Sequence, residues 1–362
     1  PEVVPYHNLP NPVDDIDLEV PSDNPYATRD ENYFVPEWPV GRLPGGVQKD
    51  AAPLIQGLKK IEANHARVLQ RRNWLRRLWD RIRQRGRFSS NGKKSSWGYT
   101  AAIWRRASLS VFRPIGAPHT LSISPPIQAE SEEIHNGKNG LNPSVRLGYF
   151  NLHGLEDSSN WYGQRDPAEP ANLPDYPVAL RPEDVQNSGH APQVVFSEAC
   201  YGAHIENKDV EQALALKFLV SGSQSVVGST CTSYGSITTP LIAADLLSHA
   251  FWKFLRDGLP AGESLRRAKI HLAREMHRRQ GYLDGEDQKT LISFLLLGDP
   301  LAHLASNSAD AKLIMRSLNS PANVNTVCDR LGNCKTEVSN APHPLQEKPP
   351  LPSKTLAQVK SI

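Results

Sequence analysis

The chain has 362 residues, 39% of them hydrophobic and 22% charged, with a formal net charge of only +3. This is ordinary globular composition, enough for one large domain or two modest ones, and no run of about 18 or more apolar residues is present to span a membrane as a helix. The first residue is Pro1, so the chain is read as a piece of a longer one, and the lack of a leader says nothing about export.

Residues 1–35 are rich in Pro, Asp and Asn and read as loop or extended chain. Trp38–Gly45 is turn-rich, with a short strand at best. Leu54–Gln84 is predicted helical, because Ile61, Val68, Leu75 and Ile82 recur every seven residues with Leu58, Trp74, Leu78 and Trp79 beside them. Basic residues crowd its outer face from Lys59 to Lys94, among them Arg71, Arg72, Arg76, Arg77, Arg81, Arg83, Arg85 and Arg87. Such a face is read first as solvated. Anionic lipid, nucleic acid or an acidic partner domain are the other candidates. Gly86–Ser96 reads as a flexible loop, Trp104–Phe112 as partly helical, and Thr120–Ser124 as a short strand.

Beyond Gly140 strands and helices alternate. Val145–Phe150 reads as a buried strand, followed by a long loop from Glu156 to Pro192, and loops of such length are often functional. Strand Val194–Phe196, helix Asp209–Val220, strand Ser225–Thr230 and helices Leu241–Leu255 and Glu263–Arg279 come next. The last element, Thr290–Leu297, runs into Gly298-Asp299-Pro300. This alternation predicts a largely parallel sheet covered on both faces. From about residue 306 to 362 the chain reads as a polar, Pro-rich tail or linker, disordered in composition over Pro342–Lys354.

Chemistry concentrates where two apolar runs end. The first closes on Asn151-Leu152-His153-Gly154, the second on Ser197-Glu198-Ala199-Cys200-Tyr201-Gly202. Carboxyl ends of parallel strands open onto one crevice, and a Cys and a His delivered there are the parts of a thiol nucleophile and its general base. Taken singly, Cys200 reads as a small buried hydrophobe and His153 as a loop residue. Glu198, two residues before Cys200, points to the same side on a strand. Cysteines 328 and 334 flank a short loop that either closes as a disulfide or carries two free thiols. No zinc spacing is present among the four cysteines.

Several stretches, in order, resemble the gingipain-like cysteine peptidases of the caspase-like clan. They are Ser22-Asp23-Asn24-Pro25-Tyr26, Pro39-Val40-Gly41-Arg42-Leu43-Pro44, Leu58-Lys59-Lys60-Ile61, His153-Gly154, Glu198-Ala199-Cys200 and Leu297-Gly298-Asp299-Pro300. The resemblance covers roughly residues 20–302. It implies a three-layer α/β/α caspase-like sandwich around a mainly parallel sheet, spanning residues 1–305 with a basic helical and loop insertion at about 62–96. It implies a cysteine endopeptidase acting on protein or peptide, with Cys200 as nucleophile, His153 as general acid and base, and the Gly154 and Cys200 N–H groups as oxyanion hole. Some family members orient the His with an acid, for which Glu156 and Asp157 are the candidates. Glu198 would line the pocket for the residue before the cut and favour Arg or Lys, although legumain-like enzymes with the same Glu-Ala-Cys are similar to asparagine-specific proteases. Thr230, Cys231 and Thr232 form a further pocket wall, Cys231 as lining or core.

A basic pocket preference makes the arginine-dense stretch 71–94 a self-cleavage site. No cofactor is required on this reading. Relatives that bind structural calcium suggest the Asp/Asn-rich Asp14–Asp30 segment as a ligand source, but it lacks EF-hand spacing and reads better as a solvated acidic loop. Two alternatives stand beside the peptidase. Phe218–Gly228 is similar to CHAT-type, partner-activated caspase-like proteases, and a catalytically idle scaffold would have no need of both His153 and Cys200.

Overall fold

The computed structural model describes residues 4–45, 51–70, 96–126, 145–169, 172–185, 191–304 and 357–359. At the start, β1 (His7–Pro10) and β2 (Glu19–Ser22) pair antiparallel, where the sequence predicts loop or extended chain. The basic helix α1 (Ala52–Gln70) follows. Its predicted continuation to Gln84, the self-cleavage stretch 71–94 and the Cys328–Cys334 loop lie outside the described residues.

The main sheet begins with β3 (Ser96–Ala101), after which come helix α2 (Arg105–Phe112), β4 (Leu121–Ser124) and β5 (Leu147–Asn151). A small antiparallel pair, β6 (Trp161–Tyr162) and β7 (Val178–Leu180), occupies the predicted long loop. Then follow β8 (Val194–Ser197), α3 (Leu214–Val220), β9 (Ser225–Ser229), β10 (Tyr234–Ser236), α4 (Ala243–Arg256), α5 (Ala261–Gln280), α6 (Gly285–Ser293) and β11 (Phe294–Gly298). A last strand, β12 (Ala357–Val359), pairs with β10.

Six strands form one sheet in the order β11-β9-β8-β5-β3-β4. Neighbours run parallel except β11, which is antiparallel to β9. Alternation along each strand feeds two cores. Tyr149, Val194, Phe196, Val227, Phe294 and Leu296 pack with Leu247, Phe251, Trp252, Leu265 and Leu272 of α4 and α5 on one face. Phe150, Val195, Val226, Leu295 and Leu297 pack with Leu214 and Phe218 of α3, and with Trp161, on the other. Each such fully buried Leu, Val or Phe contributes about 1.5–3 kcal/mol. The result is an α/β sandwich around a mainly parallel sheet, as the strand–helix alternation predicts.

Local signals set most boundaries. Helix α5 stops at Gly281, whose φ of 85° suits a left-handed C-cap, and α6 starts where the Asp284 carboxylate accepts the Asp287 N–H at 2.9 Å. Two boundaries differ from expectation. Helix α3 begins at Leu214 rather than Asp209, because Asp209–Gln212 closes a turn in which the Asp209 carboxylate accepts the Glu211 N–H at 2.9 Å. The predicted single element Thr290–Leu297 is the end of α6 followed by β11.

Through Arg42 the Pro39–Pro44 stretch meets both Asp23 and the chain around Gly298. Arg42 donates its backbone N–H to Leu296 O at 2.8 Å and accepts from Gly298 N at 2.7 Å, adding a short bridge beside β11. Its guanidinium Nε lies 3.0 Å from Asp23 Oδ2 and its plane sits over the Tyr6 ring at 3.8 Å. Asp299 accepts from His65 of α1 at 2.8 Å.

Candidate active site

Strands β5 and β8 are parallel neighbours with Phe150 opposite Ser197, and Glu198 N donates to Phe150 O at 2.8 Å. The two motifs therefore leave the sheet side by side at the same end. How close they lie is set by Gly154. A Cβ added there would sit 2.1 Å from the Cys200 carbonyl oxygen, so only glycine lets the His153 loop rest against the Cys200 turn.

His153 is buried and fixed from several sides. Its backbone forms a two-way bridge with Tyr162, at 2.8 and 2.9 Å, so the β6–β7 hairpin is tied to the His loop. Its ring lies 4.4 Å from Trp104 and 5.6 Å from Tyr176, centroid to centroid. Nε2 lies 2.9 Å from Gln164 Oε1, and Gln164 Nε2 donates to Tyr176 OH at 3.3 Å. Gln164 is thus the side chain that meets the imidazole. Glu156 and Asp157 are exposed beyond His153, with Lys208 donating to the Glu156 backbone carbonyl. Gln164 lies eleven residues past His153 in a stretch with no pattern of its own, so sequence reasoning had no signal for it.

Cys200 sits in a tight turn. Gly202 N donates to Ala199 O at 3.0 Å, and Tyr201 takes a positive φ of 54°. The side chain faces Ser233, whose backbone N–H donates to Sγ at 3.2 Å. The predicted wall residues lie just before it. Thr230 Oγ1 donates to Pro21 O at 2.7 Å, and Thr232 N to Asp17 Oδ2 at 2.9 Å. Cys231 belongs to the core, where burial pushes its thiol up to about 12, far from a nucleophile's range. Ser233, one residue further on, is the part of this connection between β9 and β10 that contacts Sγ.

Glu198 is fully buried on the α4 face and takes a hydrogen bond from Tyr149. Burial first, then the charges of Glu198 and Asp245, hold the Tyr149 phenol well above its ordinary range, so it remains a neutral donor. Asp245 of α4, also fully buried, accepts from Asn151 Nδ2 at 3.4 Å and from the Ser236 N–H of β10. Asn151 Nδ2 also donates to Ser108 Oγ at 2.9 Å. Asn151 Oδ1 and Ser233 Oγ are buried and find no partner among the described residues. Two carboxylates and two acceptor oxygens therefore share one buried polar region next to the Cys200 turn. Asn151 opens the His motif but was given no role in the sequence, and Asp245 was not singled out; it sits in the first turn of α4, where an acid reads as a charge for the helix N-terminus.

The calcium expectation has a test in the same neighbourhood. Lys289, with a fully buried side chain, places Nζ 2.6 Å from both Asp15 Oδ2 and Asp17 Oδ2. Burial pushes both carboxyls up, but the hydrogen bonds from Lys289, with Tyr234 on Asp15 and Tyr201 on Asp17, bring them net below the ordinary range. An ammonium already fills the position a cation would take, so this pair does not fit calcium. Among the described residues no group of three or more His, Cys, Asp or Glu is placed to hold a metal ion. No helix among them is long and apolar enough to cross a membrane.

Residues 148–305 match the model of peptidase family C25, a stretch that includes His153, Gln164, Glu198, Cys200, Ser233 and Asp245. No curated protein matches the chain. Among solved structures twelve chains match. One of them, described as "Structure of Protease", is 12% identical with a TM-score of 0.45, and the match covers 79% of this chain and 60% of that one.

Proposed function

From the match of residues 148–305 to peptidase family C25, the gingipain-like cysteine-type peptidases, we propose that the chain is a cysteine endopeptidase with Cys200 as nucleophile and His153 as general acid and base. The observation that carries this reading is the close seating of Gly154 on the Cys200 carbonyl, which brings a His loop and a Cys turn from adjacent parallel strands to one place.

The chemistry follows from the groups present. As Cys200 Sγ attacks the scissile carbonyl carbon its thiol proton passes to the His153 lone pair, and the Gly154 and Cys200 N–H groups receive the developing oxyanion. His153 gives its proton to the leaving amine, leaving a thioester. Water, deprotonated by His153, then releases the acid and regenerates the thiol. Two side chains, two backbone N–H groups and a water supply every step as written. Gln164 is a positioning residue: an amide oxygen only accepts, so it holds the imidazole proton on Nε2 and leaves the lone pair on Nδ1.

For specificity the reading favours Arg or Lys before the cut. Glu198 and Asp245 are charges of one sign in one buried network, and Asn151 Oδ1 and Ser233 Oγ are acceptors without a donor among the described residues. A guanidinium or ammonium brought by the substrate answers both the charge and the missing donors. Under this preference the stretch 71–94 becomes a self-cleavage site. Intact mass of wild type beside Cys200→Ala tests that extension: fragments cut after Arg or Lys only in wild type are expected, and identical masses after incubation overturn it.

The main test is cleavage of a positional-scanning fluorogenic peptide library by wild type and Cys200→Ala, in reductant. Cys200-dependent turnover after Arg or Lys is expected. Cleavage after Asn would keep the dyad and overturn the pocket. Absence of turnover would overturn the enzyme reading and favour a scaffold.

A further inference from the structure

The acid pair that does not fit calcium lies against the thiol. Asp15 and Asp17 belong to residues 11–18, the loop that joins β1 to β2. The loop is built to hold one shape. Asn11 Nδ2 donates to Asp15 Oδ1 at 2.8 Å and to Asp17 O at 2.7 Å, and Asp17 N donates to Asp15 Oδ1 at 2.9 Å. A Cβ added at Gly285 would sit 2.5 Å from Pro12 O, so the loop also rests on the first turn of α6. From this base the two carboxylates part. Asp15 accepts from the Tyr234 hydroxyl. Asp17 accepts from Tyr201 OH at 2.6 Å on Oδ1 and from the Thr232 N–H at 2.9 Å on Oδ2.

Those two donors stand on either side of Cys200. Tyr201 follows the nucleophile directly, and Thr232 precedes Ser233, whose N–H donates to Sγ at 3.2 Å. One carboxylate therefore spans the turn that carries the thiol and the connection that hydrogen-bonds it. The backbone joins the same two segments through Tyr201 N and Cys231 O at 3.0 Å, so Asp17 is a second tie. The turn has use for it, because the Tyr201 φ of 54° is left-handed and unfavourable for a residue with a side chain. A carboxylate this near a nucleophile opposes the thiolate unless its charge is offset. Lys289 offsets it, with Nζ 2.6 Å from both acids on a fully buried side chain. Burial, and then the bond to Asp17, hold the Tyr201 phenol above its ordinary range, so it remains a neutral donor.

We propose that Asp17 is a positioning residue for the nucleophile: held by the β1–β2 loop and by Lys289, it ties Tyr201 to Thr232 and so sets Cys200 Sγ against the Ser233 N–H. The loop between the first two strands is on this account part of the site, although it lies more than 180 residues before the thiol. The consequence for turnover rests on the peptidase reading, whereas the seating of the thiol does not.

The thiol is read first, without catalysis. Tyr201→Phe removes one hydroxyl and leaves the charges of Asp15, Asp17 and Lys289 in place. Alkylation of Cys200 by iodoacetamide is followed against pH by peptide mass. A change in access rescales that rate at every pH, whereas a weakened Ser233 N–H contact takes a donor from the thiolate and moves the midpoint. The midpoint is expected to rise by about 0.5–1 pH unit, part of the value of one hydrogen bond to a charged group. An unchanged midpoint overturns the proposal.

Turnover of a fluorogenic peptide is read second. Asp17→Asn is expected to lower kcat about 5–20-fold with KM within about twofold, because it acts on the thiol and not on the substrate. Asp15→Asn takes the other carboxylate from Lys289 but touches neither Tyr201 nor Thr232, and kcat should stay within about twofold of wild type. Equal losses in the two variants would trace the effect to the lysine and overturn the proposal. A raised midpoint in Tyr201→Phe with no turnover in any chain supports the seating and removes the peptidase reading. Turnover in every chain, with equal kcat and an unmoved midpoint, removes this proposal and leaves the peptidase standing.

Discussion

Gln164 Oε1 lies 2.9 Å from His153 Nε2, so a neutral amide meets the imidazole of this site. The amide nitrogen in turn donates to Tyr176 OH at 3.3 Å. A neutral partner fixes the tautomer without adding a negative charge beside the ring. Removing the partner with Gln164→Ala should lower kcat about 10–100-fold with KM nearly unchanged. Gln164→Glu should preserve the contact and recover part of that rate. Its added charge favours the imidazolium, so the acid limb of the kcat/KM profile should move to higher pH. A Gln164→Ala variant whose kcat matches wild type would rule out the positioning role.

Glu198 is expected to act on the substrate through its charge. Glu198→Gln keeps the volume and the Tyr149 contact but removes the carboxylate, and kcat/KM for an Arg peptide should fall by a factor of about 30–5,000, the range for losing one partner of a buried charge pair. A peptide with a neutral residue before the cut should be affected far less. Equal losses on both peptides, with an unchanged Tm, would assign Glu198 to the fold alone.

Gly154→Ala places a methyl group where the Cys200 carbonyl oxygen now lies 2.1 Å away. The His loop and Cys turn must separate, which should cost about 1–3 kcal/mol of stability. The larger effect should be on catalysis, about a 100-fold loss or more in kcat, because an oxyanion donor moves with the loop. Thermal melting and steady-state kinetics on one preparation read both. Wild-type kcat would show that the contact is not part of the machinery.

Lys269 offers a pH signature outside the site. Burial pushes its ammonium down to about 7, while the charge of Asp23 works in the opposite direction. Nζ lies 2.7 Å from Asn24 Oδ1. In the unfolded chain the group titrates near 10.4, so between about pH 7 and pH 10 the unfolded state binds more protons and stability rises with pH. Below about pH 7 both states are protonated and this contribution is flat. Lys269→Met should therefore melt with a flatter Tm profile across that window than wild type. Parallel profiles would show that Lys269 is charged in the folded protein throughout.

The legible parts of this fold were those whose signals are local. Val194–Phe196 is an uninterrupted apolar run ending in a small-residue turn, and it forms β8 as expected. Helices α4 and α5 carry apolar faces long enough to read without knowing their partners. The His153 and Cys200 motifs were visible because each closes such a run. By contrast β3, Ser96–Ala101, mixes Ser, Gly and Thr with its aromatics and followed a loop-like stretch. It becomes a buried inner strand only because β4 and β5 bracket it. The split of Thr290–Leu297 into helix and strand has the same origin. Periodicity does not separate a short buried helix end from a buried strand, and the pairing of Phe294–Gly298 with β9 decides it.

By itself, then, the sequence determined the alternating architecture and the two strand ends that carry a thiol and an imidazole, because apolar period and turn residues act over a few neighbours. Which groups surround those two was decided by tertiary structure. Gln164 reaches His153 through a hairpin, Asp245 nears Glu198 from a helix 47 residues further on, and Ala357–Val359 lies on β10 from more than a hundred residues away. Such contacts depend on closing long loops, whose entropy is repaid only when the whole sheet and both its cores form together, so no local window of sequence records them.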